Sequence, residues 1–186
     1  KETRLTAYVS ATGSAGTIAA GDYLRTRFPQ IKVLASEALR CPTLLLNGFG
    51  GHRIEGIGDK HIPWIHNVRN TDLVSAIDDE APMRLLRLFN EPEGLRYLTD
   101  RGVKEEIVNK LPYLGISSIA NLLSSVKLAK YYELNEQDVI FTVFTDSAEM
   151  YLSRLAEMNT ALGGYPVQQA AIDHQRRLLG QSIDYL

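Results

Sequence analysis

The residues best suited to chemistry lie in one short turn. Leu5-Thr6-Ala7-Tyr8-Val9-Ser10 has the composition of a buried strand. It runs into Ala11-Thr12-Gly13-Ser14-Ala15-Gly16-Thr17, after which Ala20, Leu24 and Phe28 recur every fourth residue, the spacing of one helix face. A strand that ends in small residues and restarts as a helix aims free backbone N–H groups at one point, where the helix dipole adds positive potential. Small side chains let an anion approach the backbone, and Thr17 can add a hydroxyl donor. The chemistry implied is the binding of a phosphate ester. Two cofactor types fit. Ala11-x-Gly13-x-x-Gly16 is one substitution away from the dinucleotide fingerprint, and Glu37 follows about 20 residues later, where an acid would meet a ribose.

Other reactive side chains assemble less well. His52, His61, His66 and His174 match none of the common zinc spacings, so no metal is expected and loop or surface positions are. Ser14, His61 and nearby acids lack the G-x-S-x-G elbow of a hydrolase. Cys41 is the only cysteine, which excludes an internal disulfide and fits a reducing cytoplasm. In 186 residues with 45% hydrophobic and 23% charged content there is room for one domain with a real core. A formal net charge of -2 and the lack of a long Lys/Arg run give no electrostatic support for nucleic-acid binding. No apolar run is long enough to span a bilayer, and no signal peptide is expected.

The elements that must position the turn can be read from periodicity. Pro29 stops the first helix and Lys32-Val33-Leu34-Ala35-Ser36 reads as a second strand, giving a βαβ unit with parallel strands. Residues 38 to 70 are rich in glycine, with Gly48, Gly50, Gly51, Gly56 and Gly58, and read as a long functional loop. Asp78-Asp79-Glu80 precede an apolar face of Met83, Leu86 and Phe89. Residues 90 to 111 read as one or two short amphipathic helices. Another helix opens at Gly115-Ile116-Ser117-Ser118, with Lys130 as its exposed end; the remaining lysines, Lys127 included, read as solvated surface. Val139 to Thr145 is continuous enough for a central strand. Asp146 to Glu149 reads as a capping box for the next helix, whose inner face is Tyr151, Leu155 and Met158. Gly163 to Pro166 is a linker to a final helix, and Gln181 to Leu186 sit inside a helical pattern. That ending, and an opening on Lys1, lead us to expect a piece of a longer chain.

The ordered set of motifs is similar to the cysteine synthase / cystathionine beta-synthase family of fold-type-II pyridoxal-phosphate enzymes, in its C-terminal half. Gly13-Ser14-Ala15-Gly16-Thr17 resembles the family's phosphate loop, usually Gly-Thr-Gly-Gly-Thr. Ala15 is a mild departure provided its φ stays negative. Glu55-Gly56-Ile57-Gly58 with Ile62-Pro63, Leu114 to Ser118, and Val143 to Ser147 with Tyr151-Leu152-Ser153 follow in the family's order. The resemblance implies an α/β three-layer sandwich with a mainly parallel sheet, a partial tryptophan synthase beta-like fold. It implies pyridoxal 5'-phosphate held by Gly13, Ser14, Ala15, Gly16 and Thr17. It puts Ser147 on the pyridine nitrogen, and Gly56, Ile57 and Gly58 on the substrate side. A lyase or β-replacement reaction on a serine- or cysteine-like amino acid would follow, in a cytoplasmic homodimer. The family's Schiff-base lysine would precede Lys1, so no catalytic residue is assigned within this chain. Residues 1–160 would be the cofactor-binding portion and 161–186 a helical tail. The rival readings are a Rossmann-type dinucleotide oxidoreductase and a non-catalytic domain that keeps the fold.

Overall fold

The computed structural model describes residues 3–186. Four strands form one sheet: β1 (Arg4–Ala11), β2 (Lys32–Ala38), β3 (Leu73–Ile77) and β4 (Asp138–Thr142), in the order β3-β2-β1-β4. All three pairings are parallel, with Tyr8 opposite Val33 on one side and opposite Phe141 on the other. Parallel strands need crossovers, and the helices supply them. These are α1 (Ala20–Arg27), α2 (Glu80–Leu88), α3 (Pro92–Asp100), α4 (Glu105–Val108), α5 (Ile116–Tyr131), α6 (Leu152–Leu162) and α7 (Val167–Asp173). The last runs on as a π-helical turn, His174–Leu179.

The period of two in each strand sends alternate residues to opposite faces. Tyr8, Val33 and Ala35 pack on one face with Ile18 and Leu24 of the α1 segment. Ala7, Val9 and Leu34 pack on the other with Leu128 of α5. Gly21 lets α1 lie against the sheet, since a Cβ there would meet a methyl group of Val33 at 3.0 Å. This is the layered, mainly parallel arrangement expected from the sequence. The largest core joins Ile77, Leu85, Leu86, Ile116 and Ile119 to Tyr165 and Ala170. Tyr165 and Ala170, beyond residue 160, thus belong to the main core.

Four expectations change. The strand β3 lies unannounced between Asp72 and Asp78 because only five residues of it pair. The Val139 run forms β4, which stands at a sheet edge and not in its centre, since β1 pairs on both sides. Val139 and Phe141 are accordingly exposed. Gln181–Leu186 are not helical: the carbonyl of Tyr185 accepts from the Ala76 N–H of β3 at 2.9 Å. Lys127 is buried and not solvated. Its ammonium donates to the carbonyls of Ala76 (3.2 Å) and Asp184 (2.6 Å) and to the Asp184 carboxylate (3.2 Å). Lys130 is exposed, as expected, and donates to the carbonyls of Leu179 and Gln181. Both contacts draw the C-terminal segment onto the sheet, which a helical continuation could not do.

Candidate functional site

Strand order places β1 between β2 and β4, so the crossovers from β1 leave in one direction while β4 lies on the other side. Ligands of open α/β sheets bind at such a switch point, beyond the carboxyl ends of the strands. Here the position holds a cavity of about 260 Å³. Its wall contains Gly13, Ser14, Ala15, Gly16 and Thr17 after β1, and Val143 and Thr145 after β4. Gly56 and Ile57 of the glycine loop close one side, and Ser117 and Asn121 of α5 another.

The amides of Gly13 through Thr17 donate to no acceptor among the described residues. A run of such donors in the wall of a cavity is what an anion requires. The loop is held from behind. Tyr8 Oη donates to the Thr17 carbonyl at 2.7 Å and Ser10 Oγ to Thr17 Oγ1 at 2.8 Å. Ala15 departs from expectation: its φ is +65°, in the left-handed region, and its methyl is buried against the core. A non-glycine residue there carries strain of about 1 kcal/mol or more, and such strain collects where a backbone is bent to present its N–H groups.

The glycine loop stacks directly on this turn. Gly58 N–H donates to the Thr12 carbonyl at 2.7 Å, and a Cβ on Gly13 would lie 3.4 Å from the Gly56 carbonyl oxygen. Gly56 and Gly58 have φ of +82° and +85°, which permits the two tight reversals. Arg154 Nε reaches Glu55 at 2.5 Å and pins the loop to α6. Of the three glycine-loop residues singled out, Gly56 and Ile57 line the cavity; Gly58 faces a much smaller one of about 20 Å³ beside Cys41 and His66.

Ser147 is not among the cavity-lining residues, although Thr145, two positions earlier, is. It begins a short 3₁₀ turn, Ala148–Tyr151, without a side-chain cap. Asp146 does not cap its own helix either. Its carboxylate reaches across to the start of α5 and accepts the N–H groups of Ser117 and Ser118, both at 3.1 Å, the Ser118 hydroxyl, and the Tyr151 hydroxyl at 2.9 Å. Burial, together with this bond to the Asp146 carboxylate, raises the Tyr151 phenol above its ordinary range. A Cβ on Gly115 would fall 2.4 Å from the Asp146 carboxyl carbon, so the cap needs glycine there. Ser117 and Asn121 were not singled out from sequence. The four-residue spacing from Ser117 to Asn121 was the available signal, because it puts both on one helix face.

Glu37 is occupied. Its buried carboxylate accepts the N–H groups of Leu44 at 3.0 Å and Leu45 at 2.9 Å, closing the turn after β2. Burial pushes its carboxyl above the ordinary value, against the opposing effect of those N–H groups. An acid used in this way has little left for a ribose, which removes the support for a dinucleotide site. His66 lies in a loop, as expected, where it is buried and bonds Thr71 at 2.9 Å.

No family model matches the chain. It is 32% identical over 155 residues to a cysteine synthase of Helicobacter pylori, covering 82% of this chain and 44% of that protein. It is 28% identical over 153 residues to cysteine synthase B of Campylobacter jejuni, with the same two coverages, 82% and 44%. Among solved structures, the O-acetylserine-dependent cystathionine beta-synthase from Helicobacter pylori superposes with a TM-score of 0.60 at 31% identity, over 80% of this chain and 42% of that one. O-acetyl serine sulfhydrylase isoform 3 from Entamoeba histolytica gives 0.64 at 25% identity, over 91% and 45%. The chain thus spans less than half the length of the relatives it matches.

Proposed function

We propose, from the similarity of this chain to cysteine synthases over less than half of their length, that it is the cofactor-binding, C-terminal portion of a fold-type-II pyridoxal-phosphate enzyme of that group. The reaction we assign to the whole protein is β-replacement or elimination on a serine- or cysteine-like amino acid. The observation that carries the reading is the run of open amides from Gly13 to Thr17 facing Ser117 and Asn121 across one cavity.

The residues present fit the cofactor. The amides of the β1 turn would hold its phosphate, with the Thr17 hydroxyl beside them. For the ring nitrogen we assign Ser117 rather than Ser147, supported by the place of Ser117 in the cavity wall. Asp146 fixes the backbone on which Ser117 stands. The loop at Gly56 and Ile57 would border the substrate and exclude water from that side. When bound, the cofactor supplies an electron sink for negative charge at the substrate Cα. Among the described residues no lysine lines the cavity, and we place the lysine that carries the cofactor elsewhere in the whole protein.

The test is full-length protein scanned in the visible, as isolated and after reconstitution with pyridoxal phosphate. A bound-cofactor band that shifts on adding O-acetylserine or cysteine is expected. A protein that shows no band in either state would end the proposal.

A further inference from the structure

A second cavity, of about 170 Å³, lies where the C-terminal segment meets β3, and it shares no lining residue with the cavity after β1. Its wall is charged: Lys127, Arg176 and Arg177 face Asp78 and Asp184. Two of these cations already have a partner. Lys127 is bonded to the Asp184 carboxylate at 3.2 Å, and Arg177 Nη1 stands 3.4 Å from Asp78 Oδ2. Arg176 makes no hydrogen bond or ion pair with any described residue. The wall thus carries one uncompensated positive charge, on an exposed side chain. The backbone is bent to give this arrangement. Adjacent side chains of an α-helix point about 100° apart, yet Arg176 and Arg177 both line the cavity. They lie in the π-helical turn His174–Leu179, closed by the Gly180 N–H on the Gln175 carbonyl at 2.8 Å. A Cβ on Gly180 would stand 2.8 Å from that same carbonyl oxygen, so the closure needs glycine. Turns of this kind are uncommon and recur at functional sites.

We propose that this cavity binds a small oxyanion, a phosphate or a carboxylate, at the guanidinium groups of Arg176 and Arg177. A guanidinium presents paired N–H donors that match two oxygens of one anion. Liquid water takes about 30 Å³ per molecule, so the space admits one such anion with a few waters. Asp78 is the internal competitor. Its carboxylate meets Arg177 only through a long contact between partly exposed side chains, and pairs of that kind contribute little. An arriving oxyanion therefore displaces little. Asp184 is engaged by Lys127, and its negative charge in the wall keeps the affinity modest.

The experiment titrates full-length protein by calorimetry with two probes, inorganic phosphate and acetate. At least one should bind saturably, with a Kd on the order of 1 mM, and the tighter of the two identifies the oxyanion. Arg176→Gln should weaken that binding about tenfold, and Asp78→Asn, which frees Arg177, should strengthen it about threefold. Both side chains are exposed, so both variants should fold. Ser14→Asp should leave the binding unchanged, because its carboxylate stands at the turn after β1. Saturation by neither probe, or binding that Arg176→Gln does not weaken, would overturn the proposal. Binding lost in Ser14→Asp but kept in Arg176→Gln would put the anion on the amides of Gly13 to Thr17, which ends this proposal and leaves the pyridoxal-phosphate reading standing.

Discussion

Two turns at the same rim of the sheet treat their backbone amides in opposite ways. After β2 the chain supplies its own anion: the Glu37 carboxylate takes the N–H groups of Leu44 and Leu45. After β1 it supplies none, and the amides of Gly13 to Thr17 face an open cavity. The start of α5, between them in function, is filled by Asp146 from the turn after β4. Three sites with the same electrostatic appetite thus lie along one edge, and the protein satisfies two of them internally. The proposed anion site is the one left open, and the cavity in front of it distinguishes it from the other two.

That contrast can be broken from either side, and the largest effect should come from emptying a filled site. Asp146→Ala deprives two amides, the Ser118 hydroxyl and the Tyr151 hydroxyl of a common acceptor. A loss of about 3 kcal/mol is expected, read from urea unfolding of the full-length protein; a loss below about 1 kcal/mol would mean that water replaces the cap readily.

Filling the open site should come next. Ser14→Asp puts a carboxylate in the cavity wall, and we expect about 30- to 100-fold weaker binding of pyridoxine phosphate by calorimetry. Little change in unfolding midpoint should accompany it, because Ser14 is exposed. Unaltered binding would move the anion elsewhere.

The pH dependence of the β2 turn is a finer test. The Glu37 carboxyl titrates above its ordinary 4.5 because burial disfavours its charge. The folded state therefore binds that proton more readily than the unfolded one. The stability it contributes is whole below 4.5 and is lost as pH rises through the raised value. Glu37→Gln should abolish that decline in urea unfolding measured across the mildly acidic range; an unchanged profile would mean that the carboxylate is better solvated than its burial indicates.

The smallest effect has the opposite sign. Burial lowers His66 from its ordinary 6.5, with Asp22 opposing. Its contribution is present above 6.5 and is lost as pH falls through the lowered value. His66→Gln should flatten that fall, and its unfolding midpoint should track wild type only above neutrality.

The fold was legible where patterns are local. Strand, small-residue turn, helix and second strand follow from residue type and spacing between Leu5 and Ser36, and right-handed parallel crossover leaves little freedom in how they pair. The five-residue β3 escaped notice because its alternation is too short to stand out from the loop before it. The Val139 run was read as central because an apolar run signals burial on both faces, yet neighbours decide position, and β1 took the centre. Lys127 was misjudged for a related reason. Charge predicts exposure unless a partner is present, and Ala76 and Asp184 become partners of Lys127 only after folding.

The sequence by itself determined the small-residue turn after β1, since strand and helix propensities flanking small residues present amides whatever the remainder does. Only the tertiary structure decided which hydroxyl faces that loop. Ser117 and Ser147 are both serines beside the acid-bearing turn after β4, and no spacing rule separates them. Their difference arises because Asp146 crosses to α5 and holds that helix start against the cavity, a contact between residues 28 and 29 positions apart. Long-range packing of this kind leaves no periodic trace along the chain, because it depends on where the sheet brings its strand ends together.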